Sequence, residues 1–131
     1  CILKVFLDTN VWLSAIVFPG LCAELLAALM ETSHELLSSG LVQAETHEVL
    51  RRKFLYHEEA LALFDVLWME ATCLPDVDAP TNDADARLVL AATQGGADLF
   101  VTGDQRVLAW GAQGEMRMLS PREAWDVLVT P

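Results

Sequence analysis

Two short apolar runs in this chain end in an aspartate: Val5-Phe6-Leu7-Asp8 and Phe100-Val101-Thr102-Gly103-Asp104. A short apolar run stopped by Asp or Asn reads as a buried strand followed by a turn or a helix cap. In open parallel sheets, sites form beyond the carboxyl ends of the strands, so Asp8 and Asp104 are expected on one edge of one sheet. Either alone is what an ordinary N-cap or turn requires. Glu45 is a third candidate: at about 100° per residue it lies some 40° from Leu41, inside the apolar stripe of its helix. An inward carboxylate is costly unless a cation or donors meet it; the alternative is a rim glutamate paired with Arg51 or Arg52. Asp85 is the fourth, sharing a helix face with Leu88 and Val89 and standing in the first turn, where the macrodipole favours an acid. Asp83, two residues earlier, is the better plain N-cap, so the third acid is left between Asp83 and Asp85.

Carboxylates gathered at one place repel one another, and without a cation some protonate. All-oxygen ligation suits Mg²⁺ or Mn²⁺, with positions left for water and a substrate phosphate. Such an ion orients or activates a water and stabilises charge on a phosphoryl oxygen. The chemistry expected of these residues is metal-dependent phosphodiester hydrolysis.

The elements that must position these acids alternate between strand and helix. Strands are expected at Val5–Leu7, Glu35–Leu37, Leu99–Val101 and Met116–Leu119. Helices are expected at 11–18, halted by Pro19-Gly20, and at 21–31, 41–53, 57–73, 83–94 and 105–110. A last helix starts at Pro121, with Ser120 and Glu123 in a capping-box pattern. Residues 74–82, with Pro75 and Pro80, read as a loop in which Asp76 and Asp78 face water. This order implies parallel βαβ units and a three-layer α/β/α domain, a single domain over residues 1–131.

With 131 residues the chain is long enough to bury a sizeable core. Its formal charge of −11 argues against a simple basic face for nucleic acid or membrane, and no apolar run approaches a membrane span. Cys1, Cys22 and Cys73 match no zinc spacing. They read as reduced cysteines of a cytoplasmic protein, and the opening stretch to Leu7 is too short for a signal peptide. Trp12, Trp68, Trp110 and Trp125 lie in apolar helical segments and are expected in the core, with Trp12, near Asn10, the one placed to stack on a base.

The order and wording of the acidic motifs resemble the PIN-domain nucleases, in particular the VapC-like toxins of toxin–antitoxin pairs. The residues that carry the likeness are Val5-Phe6-Leu7-Asp8-Thr9-Asn10-Val11, Glu45-Thr46-His47-Glu48-Val49-Leu50, Arg51-Arg52-Lys53-Phe54, Asp83-Ala84-Asp85-Ala86-Arg87-Leu88, Gly96-Ala97-Asp98, Val101-Thr102-Gly103-Asp104 and Leu119-Ser120-Pro121-Arg122-Glu123. They span essentially the whole chain.

The resemblance implies a PIN-like domain with a central, mainly parallel sheet and a Mg²⁺- or Mn²⁺-dependent ribonuclease site. By position it makes Asp8, Glu45, Asp85 and Asp104 the catalytic acids, with Asp8, Asp85 and Asp104 as direct metal ligands. Glu45 would act through water or a second metal, and Asn10 and Thr102 would hold the cluster in place. It also implies an antitoxin partner and a homodimer, for which 12–18 and 61–68 carry suitable apolar surface. Many relatives have a second aspartate two residues after the fourth acid. Arg106 stands there, so a fifth ligand is absent unless Asp98 or Asp83 replaces it. If RNA is the substrate, Arg51, Arg52, Lys53 and Arg87 are the candidate contacts, and binding is expected to be weak and salt-sensitive.

Two other readings differ in class. One is a catalytically weak domain of the same family serving as a binding or scaffold module, which the acidic balance and Arg106 favour. The other is aspartyl-phosphate chemistry on Asp8. Against it, Asn10 stands where such phosphatases want an aspartate, and the only lysines are Lys4 and Lys53.

Overall fold

The computed structural model describes residues 2–55, 57–77 and 83–129. The strands are β1 (Lys4–Leu7), β2 (Glu35–Ser39), β3 (Thr72–Leu74), β4 (Leu99–Val101) and β5 (Arg117–Leu119). The helices are α1 (Thr9–Val17), α2 (Leu21–Glu31), α3 (Gly40–Lys53), α4 (His57–Trp68), α5 (Ala84–Gln94), α6 (Gln105–Leu108) and α7 (Pro121–Leu128). The strands form one sheet in the order β3-β2-β1-β4-β5, and all four pairings are parallel. The helices flank it, giving the expected three-layer α/β/α architecture.

A sheet covered on both faces needs strands without a wet side. Val5, Phe6, Leu7, Leu99, Phe100 and Val101 are accordingly all buried. Phe6 and Phe100 are register partners, and their rings stack 5.4 Å apart at 8°. The same register sets Leu7 beside Val101. The chain then continues one step further on each strand: the Asp8 amide donates to Val101 O at 2.9 Å, and the Thr102 amide donates to Leu119 O at 3.0 Å. These bonds hold Asp8 and Thr102-Gly103-Asp104 side by side at the sheet edge.

The structure corrects the sequence expectations in several places. The helix expected through Cys73 stops at Trp68, and a fifth strand follows. Trp68 Nε1 donates to Ser38 Oγ at 2.8 Å, pinning the helix end onto β2. Residues 69–71 turn, and Thr72 enters the sheet opposite Leu37. Apolar spacing cannot distinguish that continuation from another helical turn, because Ala71 fits either. β2 also runs two residues further than expected, to Ser39. The helix after Asp104 is one turn long, and Trp110 beyond it is 38% exposed, so not every tryptophan packs inside. Trp12 is fully buried, edge-on to Phe64 at 5.3 Å, and offers no face to a nucleobase. Among the described residues no single helix is long and apolar enough to cross a membrane.

Candidate active site

Asp8 is the N-cap of α1, with its own side chain accepting from the Thr9 amide at 2.8 Å through Oδ1. Its other oxygen, Oδ2, accepts from Thr102 Oγ1 at 2.7 Å and from Asn10 Nδ2 at 3.4 Å. Thr102 Oγ1 in turn accepts from the Asp104 amide at 3.1 Å, and Asn10 Oδ1 accepts from the Gly103 amide at 3.3 Å. One hydroxyl and one amide thus tie the end of β1 to the turn after β4. Polar partners of this kind fix the direction of a carboxylate.

Glu45 lies on α3 and is met by Thr9, whose Oγ1 donates to Glu45 Oε1 at 2.8 Å. Asp83 is the N-cap of α5, accepting from the amides of Asp85 and Ala86. The Asp85 carboxylate is held instead by the Arg106 guanidinium. Asp83 caps α5, and it is the charge of Asp85 that acts on Asp8. Asp104 caps α6 through the Arg106 amide at 2.9 Å, and its Oδ2 lies 3.8 Å from Arg106 Nη2.

The four acids come from four elements, and they share one field. Asp8 is 3% exposed, and burial pushes its carboxyl up to about 6, with the charges of Asp85 and Glu45 adding to the rise and the Thr102 and Thr9 bonds opposing it. Glu45 is raised by burial too, with Asp85 adding to it and the Thr9 bond and Arg87 opposing. Asp85 is raised by burial, with Arg106 opposing and Asp83 and Asp104 adding to it. This is the signature of acids short of positive charge.

That shortage sets a pH dependence. An aspartate raised from 3.8 to about 6 costs nothing below pH 3.8, where it is neutral folded and unfolded. Between pH 3.8 and 6 the unfolded chain gives up this proton while the folded Asp8 keeps it, so stability falls across that window and levels off above it. The loss by pH 7 from Asp8 is about 3 kcal/mol. The Asp8 contribution in chelator-treated protein is therefore expected to fall between about pH 4 and pH 6.5 and to be level from there to about pH 7.5. A urea-unfolding profile flat over the lower range would contradict this account of Asp8.

The donor set fits a hard divalent cation: every candidate atom is a carboxylate oxygen. Among the described residues no three acidic, histidine or cysteine side chains are already closed on one point. Asp85 and Asp104 reach toward Arg106 instead.

Other sequence candidates lie elsewhere. Asp98 precedes β4 and accepts from the Lys4 amide at 2.8 Å, at the far edge of the sheet, so it does not stand in for a fifth acid. Arg87 is near enough to act on Glu45, but its guanidinium pairs with Asp76, which therefore does not merely face water. Asp78 lies outside the described residues. Arg51, Arg52 and Lys53 are exposed at the end of α3, with Arg52 paired to Glu48 at 3.1 Å. A cavity of about 390 Å³ is lined by these three with Phe54, Leu55 and His57. Glu45 and Arg52, seven residues apart on one helix, are separated by about 10 Å of rise.

Sequence reasoning gave Thr9 no role and saw in Arg106 only a missing acid. A hydroxyl beside Asp8 was a signal for the first. The second needed the fold.

The chain matches the family model described as PIN domain over residues 4–106. Among solved structures it is similar to VapBC2 from Rickettsia felis bound to a DNA fragment from their promoter. There the TM-score is 0.68 at 15% identity, covering 89% of this chain and 98% of that one. It is also similar to the PIN domain endonuclease Utp24, with a TM-score of 0.49 at 21% identity, covering 79% of this chain and 73% of that one. None of the curated proteins matches this chain.

Proposed function

Because the chain belongs to the PIN-domain family, we propose that it is a Mg²⁺- or Mn²⁺-dependent endoribonuclease and the toxin of a toxin–antitoxin pair. The observation that carries this reading is the shared field of four acids from four elements, in which Asp8 responds to Asp85 and Glu45, and Asp85 to Asp104. Asp8, Asp85 and Asp104 would hold the ion, with Glu45 acting through water. The bound ion supplies activation of a water and neutralisation of charge on the phosphoryl group. Thr102 and Asn10 keep Asp8 aimed, and Thr9 keeps Glu45 aimed. Arg51, Arg52, Lys53 and Arg87 would meet the flanking phosphates of RNA, a small positive set against −11 overall. Binding should accordingly be weak and fall steeply with salt.

The likeness to the VapBC2 complex supports an antitoxin partner, and the site of action in this reading is the cytoplasm. A groove of about 310 Å³ is lined by Ile16, Val17, Phe54, Glu59, Ala60 and the exposed Leu63, and Phe18 after α1 and Val66 on α4 are exposed as well. This apolar face would suit an antitoxin segment or a second copy in a homodimer.

A panel of labelled RNAs incubated with Mn²⁺, with Mg²⁺ and with EDTA tests the activity. Cleavage that needs the cation is the expected result. A chain that cuts none of them at micromolar concentration would instead be a binding module, the reading that the Arg106 pairing with Asp85 and Asp104 favours.

A further inference from the structure

Among the described residues, Arg106 is the cation paired with the proposed metal-binding acids. Its Nη2 pairs with Asp85 Oδ2 and stands 3.8 Å from Asp104 Oδ2. Its own amide donates to Asp104 Oδ1. The backbone bond anchors the residue at the site while the side chain, 63% exposed, remains free to leave. A guanidinium carries five donors in a fork suited to carboxylate and phosphate alike. Here it faces two carboxylates that a divalent ion would also need. Both cations cannot occupy the same oxygens.

Resting on the nuclease reading, we propose that Arg106 is a tethered cation that competes with the metal for Asp85 and Asp104 and, once displaced, takes the substrate phosphate. The residue then has two partners of the same chemistry. Without metal it neutralises acids that repel one another. With metal it is released at the mouth of the site, still anchored through its amide, where a phosphodiester needs a donor fork. The arrangement makes metal binding weaker than four acids alone would give and links it to arrival of substrate.

The two roles have opposite signs, which makes them testable together. Mn²⁺ binding is measured by calorimetry on the full chain and on Arg106→Gln. The variant should bind about tenfold more tightly, the lower end for changes next to a metal's ligands. Arg122→Gln removes the same charge on α7, where Arg122 pairs with Asp126. Its Mn²⁺ affinity should move less than threefold. RNA affinity is read with a 2′-O-methyl oligonucleotide in saturating Mn²⁺, and Arg106→Gln should bind it several-fold more weakly. If wild type binds Mn²⁺ and Arg106→Gln binds it no better, the proposal fails while the metal reading stands. It fails equally if Arg122→Gln tightens as much, since a general field would then explain the gain, or if RNA affinity does not fall. If no version binds millimolar Mn²⁺, the nuclease reading fails with it.

Discussion

Asp8→Asn is expected to remove Mn²⁺ binding and to stabilise the protein that has lost it. Outer partners of metal ligands are worth 10–100-fold in affinity, so loss of a direct charged ligand should cost about a hundredfold or more. Cleavage should fall by about the same factor. Stability moves the other way. Asp8 is 3% exposed and its carboxyl is held up to about 6, so at pH 7 the metal-free fold carries a charge it has not compensated. A neutral amide relieves about 3 kcal/mol of that cost, a figure already net of the bonds from Thr102 and Thr9. The metal-free variant should therefore unfold at higher urea than wild type at pH 7, with the advantage gone at pH 4. Asp98→Asn is the counterpart: its carboxylate accepts from the Lys4 amide at the far sheet edge, and its loss should leave Mn²⁺ affinity unchanged. Equal Mn²⁺ affinity in Asp8→Asn and wild type would remove Asp8 from the site. A lower urea midpoint at pH 7 would mean that the Thr102 and Thr9 bonds outweigh desolvation.

The positions of the acids could be read from the chain because each is fixed by local rules. Asp8 and Asp104 follow apolar runs that must be parallel strands, and parallel strands end on the same edge. The same rule disposes of Asp98: it precedes its strand, and the structure finds it at the opposite edge. Helix phase turned Glu45 inward, and capping chemistry made Asp83 the plain N-cap while leaving the third acid open between Asp83 and Asp85. What could not be read depends on contacts between elements distant in sequence. β3 is three residues long at the sheet edge, and only its pairing with β2 distinguishes it from a frayed helix end. Thr9 meets Glu45 because α1 packs against α3, 36 residues away. Arg106 reads locally as the absence of an acid. Only the fold places the start of α6 within a side chain's reach of Asp85 on α5.

Phe64→Ala should give the largest loss of stability, about 3–5 kcal/mol, and should leave the chemistry intact while the chain stays folded. Phe64 is the buried residue of α4, fully enclosed where α1, α3 and α4 meet. Trp12 stands edge-on to it at 5.3 Å, His47 at 5.6 Å, and Trp68 lies tilted at 6.4 Å. Each aromatic pair adds about 0.5–1.5 kcal/mol beyond area burial. The remaining ties of α4 near this ring are polar: His47 with Asp65 at 2.6 Å, and Trp68 Nε1 with Ser38. Those bonds orient the helix but cannot replace its one fully buried side chain: Ala60, Leu61, Leu67 and Trp68 pack against the core only partly buried, and Leu63 and Val66 face solvent. Truncation leaves a cavity against Trp12, which cannot collapse into it while α1 is pinned to the sheet edge through Asp8. Urea unfolding followed by tryptophan fluorescence reads the loss, and Mn²⁺ titration at low temperature checks that the four acids, none of them on α4, still bind. A cost under 1 kcal/mol would show that α4 is not held by this ring. A full loss of Mn²⁺ affinity in folded protein would show that the aromatic cluster positions the acids as well as the helices.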